Sequence, residues 1–163
     1  MTDGDRIITA LYDALDSGAG EAMAMLYEPE GSFRDPAFGG LSGEEAGDMW
    51  RMLTSRATDL RVELAEHEAD GDRGSARWIA TYTFRTGRPV VNDIRASFRF
   101  RDGRIVEHVD SFSFHRWARQ ALGPAGWVLG VWPFRLLVRA RARADLRRFH
   151  AERESEATAA DGG

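Results

Sequence analysis

The sequence predicts an α+β fold in which three N-terminal helices pack in the concave side of a curved antiparallel sheet. Three observations carry that expectation. Apolar residues recur at helical spacing as far as Asp59 and alternate with period two beyond it. Short turn sequences, Asp102-Gly103 the strongest of them, separate the alternating segments, so that successive strands run antiparallel. The chain has 163 residues, 43% of them apolar, which suits one domain whose core is large enough to enclose a pocket.

Ile7, Ile8, Leu11, Ala14 and Leu15 line one face of the first helix, which stops at Ser17-Gly18. A short second helix places Met23, Leu26 and Tyr27 on one side and ends before Glu28-Pro29. Gly31–Asp35 is a brief extended segment closed by Pro36. Ser42-Gly43-Glu44-Glu45 is a capping box, and the helix it opens presents Ala46, Met49, Trp50 and Leu53. Leu60, Val62 and Leu64 then alternate with charged residues. After a turn at Asp70–Gly74, Trp78, Ala80, Tyr82 and Phe84 share a strand face. Thr86-Gly87-Arg88-Pro89 turns the chain again, Ile94, Ala96, Phe98 and Phe100 form the next face, and a last strand runs Arg104–Phe114. The expected architecture is a four-stranded meander preceded by three helices and a short strand. Residues 1–117 form this domain, 118–154 an apolar and then Arg-rich helical extension, and 155–163 a disordered tail. A sheet half-closed over its helices leaves an apolar cavity at its mouth.

Composition excludes several chemistries. Cysteine is absent, which removes disulfides, thiolate nucleophiles and cysteine-bound metals. All 22 basic residues are arginine, which removes lysine Schiff bases and the P-loop. His67, His108, His115 and His150 are far apart, without helical ligand spacing, so neither a metal nor another cofactor is expected. The net charge of −4 is unevenly spread: residues 1–70 carry −11, 71–114 carry +3, 115–150 carry +7 and the remainder −3. Acids dominate the N-terminal half and no recognition motif occurs, so nucleic acid is not an expected partner. The acidic start Met1-Thr2-Asp3-Gly4-Asp5 does not resemble a leader peptide, and the longest uncharged run, Gln120–Phe134, is too short to span a bilayer. A cytoplasmic protein is the expectation.

Three local strings sharpen the reading: Ala14-Leu15-Asp16-Ser17-Gly18, Phe33-Arg34-Asp35-Pro36, and Phe98-Arg99-Phe100-Arg101-Asp102-Gly103-Arg104-Ile105-Val106-Glu107-His108. In order and spacing they are similar to the SnoaL-like branch of the nuclear transport factor 2-like superfamily, over about residues 5–117. The resemblance implies a ketosteroid isomerase-like cone, frequent homodimers, and a pocket for a small hydrophobic molecule, cyclic and polyketide- or steroid-like. The family includes isomerases, cyclases, epoxide hydrolases, dehydratases and domains that only bind, so the resemblance speaks to fold more than to reaction. Steroid isomerases place a general-base aspartate in an Asp-Pro step after the second helix, which Asp35-Pro36 matches. Their oxyanion tyrosine would fall on Leu11, with Tyr12 one residue out of register, and their carboxylic acid on Ala96.

In the last strand His108, Asp110, Phe112 and Phe114 share one face, while Glu107, Val109, Ser111 and Ser113 share the other. Both faces are mixed, so alternation leaves the inner one open; the resemblance points to the His108/Asp110 face. Asp35, His108 and Asp110 are therefore the candidate acid–base groups for isomerisation, dehydration, cyclisation or hydrolysis. Tyr12, Phe33, Phe38, Trp50, Leu53, Trp78, Tyr82, Ala96, Phe98 and Phe112 are the candidate pocket lining. A non-catalytic carrier, sensor or dimeric interaction module is the alternative. The Gly- and Pro-broken run Gly123–Phe134 and its arginine-rich continuation read first as a lid or dimer contact. A membrane-surface contact through residues 121–148 is the second reading.

Overall fold

Thr2 and Ser42 start their helices by one chemistry: each hydroxyl accepts from the amide three residues on, and the acid there accepts the cap's own amide. The computed structural model describes residues 1–129 and 134–162. Helix α1 (Asp3–Asp16) and the short α2 (Gly20–Met25) lead into strand β1 (Tyr27–Asp35), the short β2 (Gly39–Ser42) and α3 (Gly43–Arg56). The meander follows as β3 (Arg61–Asp70), β4 (Arg73–Thr83), β5 (Pro89–Arg101) and β6 (Arg104–Ser111). Helices α4 (Phe114–Leu122), α5 (Gly126–Leu129) and α6 (Phe134–Asp161) complete the chain.

The fold is α+β as expected, but its sheet has six strands, ordered β2-β1-β6-β5-β4-β3, and is mixed. β1 lies antiparallel to β2 and parallel to β6. It also begins four residues earlier than the extended segment expected at Gly31. Tyr27, expected on the second helix, starts the strand, and the register between β1 and β6 shifts between Tyr27 and Ser32. That irregularity accommodates Pro29, which has no N–H to give to a regular ladder.

Two other boundaries move for a local reason. The last strand ends at Ser111 rather than Phe114, because Ser113 Oγ accepts from Arg116 N and opens α4. Phe114 thereby joins Trp117, Ala118 and Ala121 in a small cluster over Val90. The stretch expected as a disordered tail continues α6 to Asp161, with the helix formers Glu156, Ala157, Ala159 and Ala160 in it. Gly130, Val131, Trp132 and Pro133 of the expected extension, and Gly163 of the tail, lie outside the described residues.

The helices and the inner sheet face enclose one core, to which α6 contributes Leu146, Ala142 and Phe149. Docking of α6 is also polar. Asp48 on α3 is 1% exposed and meets Arg51 at 2.9 Å, Arg153 Nε at 2.8 Å and His150 Nδ1. Burial alone would push the Asp48 carboxyl up; hydrogen bonds from His150, Arg153 and Arg51 outweigh it and hold the group below its ordinary value of 3.8. The bond from Asp48 in turn raises His150 above 6.5. The His150 contribution to stability is therefore complete below pH 6.5 and fades as pH rises through its folded value. That of Asp48 is complete above 3.8 and fades as pH falls through its folded value. His150→Gln is expected to lower Tm by about 2 °C at pH 6 and by less at pH 9, read by thermal melts at the two pH values.

Candidate active site

Asp35 ends β1, and the turn after it folds back so that the amides of Phe38, Ala37 and Gly39 reach its carboxylate. The parallel register pairs Phe33 with His108 and Arg34 with Val109, and Asp35, the next residue of β1, lies near enough to Asp110 to feel its charge. His108 is completely buried and Asp110 nearly so. The mixed alternation of the last strand is thus decided: the His108/Asp110 face is the inner one. The two carboxyl-bearing residues come within reach of each other's charge although 75 residues separate them in sequence.

Asp110 closes a buried hydrogen-bond chain. Trp50 Nε1 donates to Tyr27 Oη at 2.9 Å, Tyr27 Oη lies 2.7 Å from His108 Nδ1, and His108 Nε2 lies 2.9 Å from Asp110 Oδ1. Trp78 Nε1 reaches the same Oδ1 at 3.4 Å. Indole can only donate, and a carboxylate can only accept. With the imidazole neutral, Tyr27 therefore gives its proton to Nδ1 and His108 donates from Nε2 to Asp110. Aromatic rings wall the chain: Phe98 lies 4.3 Å and Phe33 5.1 Å from the His108 ring, centroid to centroid.

Asp35 has a different environment. Burial lifts its carboxyl to about 7, the Asp110 charge beside it acts in the same direction, and the turn amides only partly oppose them. Tyr12 completes the polar set. Its ring packs 5.1 Å from that of Trp78, it is 2% exposed, and its hydroxyl has no hydrogen-bond partner among the described residues. Burial, reinforced by Asp110, raises that phenol well above its ordinary range and keeps it protonated.

Of the expected lining residues, Tyr12, Phe33, Phe38, Trp50, Trp78, Ala96 and Phe98 are all buried in this core. Ala96 pairs across the strands with Asp110 on one side and with Ala76 on the other, so small side chains continue the row that Asp110 begins. Phe112 is half-buried and Tyr82 is spent on α4, its hydroxyl accepting from Trp117 Nε1 at 2.8 Å. Leu53 is a correction: it is 37% exposed. The covered arc of α3 turns toward Gly47 against α2 and Asp48 against α6, which leaves Leu53 outside. Tyr27 was not among the expected site residues, and no sequence signal marked it, because its partners lie 23 and 81 residues away.

The expected open mouth is covered. Arg139 Nη2 donates to Pro36 O at 3.2 Å, and Arg143 Nη1 donates to Gly40 O at 2.9 Å, which ties α6 across the β1–β2 turn beside Asp35. Asp145 adds contacts with Arg85 at the β4–β5 hairpin and with Arg56 at the end of α3.

The model of the SnoaL-like domain family matches residues 8–108. This chain belongs to that family. A Catenulispora acidiphila protein with a ketosteroid isomerase-like fold, solved with trimethylamine, is 22% identical over 74% of this chain and 95% of its own, with a TM-score of 0.64. IdmH of Streptomyces antibioticus, a candidate polyketide cyclase, is 25% identical over 74% of this chain and 98% of its own, with a TM-score of 0.62. An LEH-like epoxide hydrolase of M. tuberculosis is 18% identical over 78% of this chain and 93% of its own, with a TM-score of 0.63. Among curated proteins, none matches this sequence. The matched residues run from α1 into β6, and the end of β6 with α4, α5 and α6 lies beyond them.

Proposed function

We propose that this SnoaL-like protein is an acid–base enzyme that moves a proton on a small hydrophobic molecule carrying a carbonyl group. The observation that supports it is the half-buried Asp35 near the buried Asp110, one carboxyl lifted to about 7 and the other bonded to His108 and Trp78. Two carboxyl groups near each other in unlike surroundings divide the labour of base and acid. Asp35 ionises near neutrality, so it can both take and return a proton there.

In this reading the Asp35 carboxylate removes a proton from the carbon next to the carbonyl. The C–H electron pair moves into a new C=C bond while the C=O pair shifts onto oxygen. Tyr12, whose buried hydroxyl is unspent, donates a hydrogen bond to that oxygen. Asp35 then returns the proton to the same or a neighbouring carbon. His108 and Tyr27 hold Asp110 in place and do not touch the substrate. The aromatic walls suit an apolar ring, and α6 moves aside to admit it.

Proton exchange tests this whatever the natural substrate is. A panel of cyclic ketones and enones is incubated with the protein in D2O, and deuterium uptake beside the carbonyl is followed by NMR. Accelerated uptake by the wild type, rising with pH through about 7, is expected for at least one compound. Equal uptake with wild type and Asp35→Asn across the panel would overturn the proposal, while ligand retention by both would leave a carrier.

A further inference from the structure

Away from the cone, α4 and α5 lie against the β4–β5 hairpin and form an open groove of about 670 Å³. Arg88, Arg116, Arg119 and Trp127 line it. Arg88 Nε donates to Gln120 O at 2.9 Å, and the Arg119 guanidinium lies 4.1 Å from the centre of the Trp127 ring. Among the described residues none of the three arginines pairs with a carboxylate. Asp93, which feels Arg116, is held by Arg77 at 2.8 Å. Three exposed guanidinium groups thus converge on one groove with donors to spare.

Val91 and Trp127 give the groove an apolar lip. Among the described residues eight large hydrophobic side chains are exposed, and five of them are Val91, Trp127, Val128, Leu136 and Leu137. Trp127 is 58% exposed and Leu137 62%. Arg135, at the start of α6, stacks 5.7 Å from the ring of Phe114 on α4, which keeps that end of α6 on the same face. The charge pattern selects the occupant. Residues 115–150 carry +7 in a chain of −4, and their only acid, Asp145, is turned toward Arg56 and Arg85. A flat anionic surface satisfies such a field, and its headgroup–acyl boundary takes the tryptophan and the aliphatic lip together.

We infer that this face docks on a membrane surface rich in anionic lipid. Arg88, Arg116 and Arg119 hold headgroup phosphates, and Trp127, Val128, Leu136 and Leu137 enter the boundary beneath them. Contact is peripheral, for no described helix is long and apolar enough to cross a membrane.

The test is co-sedimentation of the full chain with vesicles of phosphatidylcholine, alone or mixed with phosphatidylglycerol. Retention is expected on the mixed vesicles only, and it weakens as salt shortens the reach of the charges. Arg116→Gln and Arg119→Gln should each reduce partitioning about fivefold, the equivalent of about 1 kcal/mol per arginine. Trp127→Phe should remove the blue shift of tryptophan fluorescence that accompanies binding. All three side chains are exposed, so unchanged thermal melts verify that the variants fold. Retention equal on both vesicle types overturns the inference, as does no retention on either. Self-association that Trp127→Ala abolishes, without vesicle binding, would assign the face to a second copy instead.

Discussion

Asp35→Asn is expected to lower carbonyl-adjacent proton exchange by about 10²–10⁴-fold, because the amide cannot accept the proton that the carboxylate takes. The same substitution should stabilise the fold. In the folded chain the Asp35 carboxyl binds its proton up to about pH 7, whereas an unfolded aspartate releases it near 3.8. Between these values the folded state holds more proton, so the contribution of Asp35 to stability falls as pH rises, and the full cost of ionising it stands above pH 7. Removing the charge returns stability on the order of a few kcal/mol at pH 8, a gain in Tm of about 5 °C. The gain should shrink toward pH 4. Loss of exchange with a raised Tm at pH 8 is the signature of a strained catalytic carboxylate. Loss of exchange with a lowered Tm would mean that Asp35 serves the turn amides of Phe38 and Gly39 instead.

His108→Ala is expected to cost about 3–5 kcal/mol, with Tm lower by about 10 °C. The ring is 0% exposed and sits in a cage of Phe33, Trp50 and Phe98, so its removal leaves a cavity. It also leaves the Tyr27 proton without an acceptor and the Asp110 carboxylate with only the long bond from Trp78, in low dielectric. Tyr27→Phe breaks the same chain while keeping the ring, and should cost only about 1–2 kcal/mol. Thermal or urea unfolding of the two variants separates the terms. Equal costs would show that cage and carboxylate partner contribute nothing beyond the single Tyr27 bond.

Much of the architecture was legible in the sequence because it is local. The capping box at Ser42, the switch of hydrophobic period after Asp59 and the Asp102-Gly103 turn are each decided by residues within one or two turns of one another. The misread boundaries have equally local causes: Ser113 is a helix cap standing in an alternating pattern, and Pro29 obscures a strand that bulges around it. Leu53 kept perfect helical spacing with Ala46, Met49 and Trp50. Its exposure depends on where α2 and α6 settle against α3, which periodicity along one helix does not encode.

The site divides along the same line. Asp35, His108 and Asp110 were recognisable as ionisable residues in an apolar neighbourhood, but their mutual geometry was not. His108 and Asp110 lie two residues apart on a strand, a spacing that separates their Cα atoms by about 7 Å. Only side-chain rotamers bring Nε2 within 2.9 Å of Oδ1. The position of the steroid isomerases' carboxylic acid falls on Ala96 and is empty of an acid here, and Asp110 pairs with Ala96 one strand over. Position 96 and position 110 therefore serve the same region of the core, although no sequence register relates them.

Periods of 3.6 and 2.0 and a few short turns were thus enough to specify the fold class, most of the order of the elements, and the inner faces of α1 and β5, while Asp35, His108 and Asp110 were singled out by the family resemblance. Three further facts belong to the assembled core: Asp35 comes within reach of the Asp110 charge, Tyr27 links Trp50 to His108, and α6 is tied across the β1–β2 turn. They rest on a parallel pairing across 75 residues and on helix docking at the far end of the chain. Such contacts form only when the whole core is in place, since their closure entropy is offset collectively by burial and not by any local pattern.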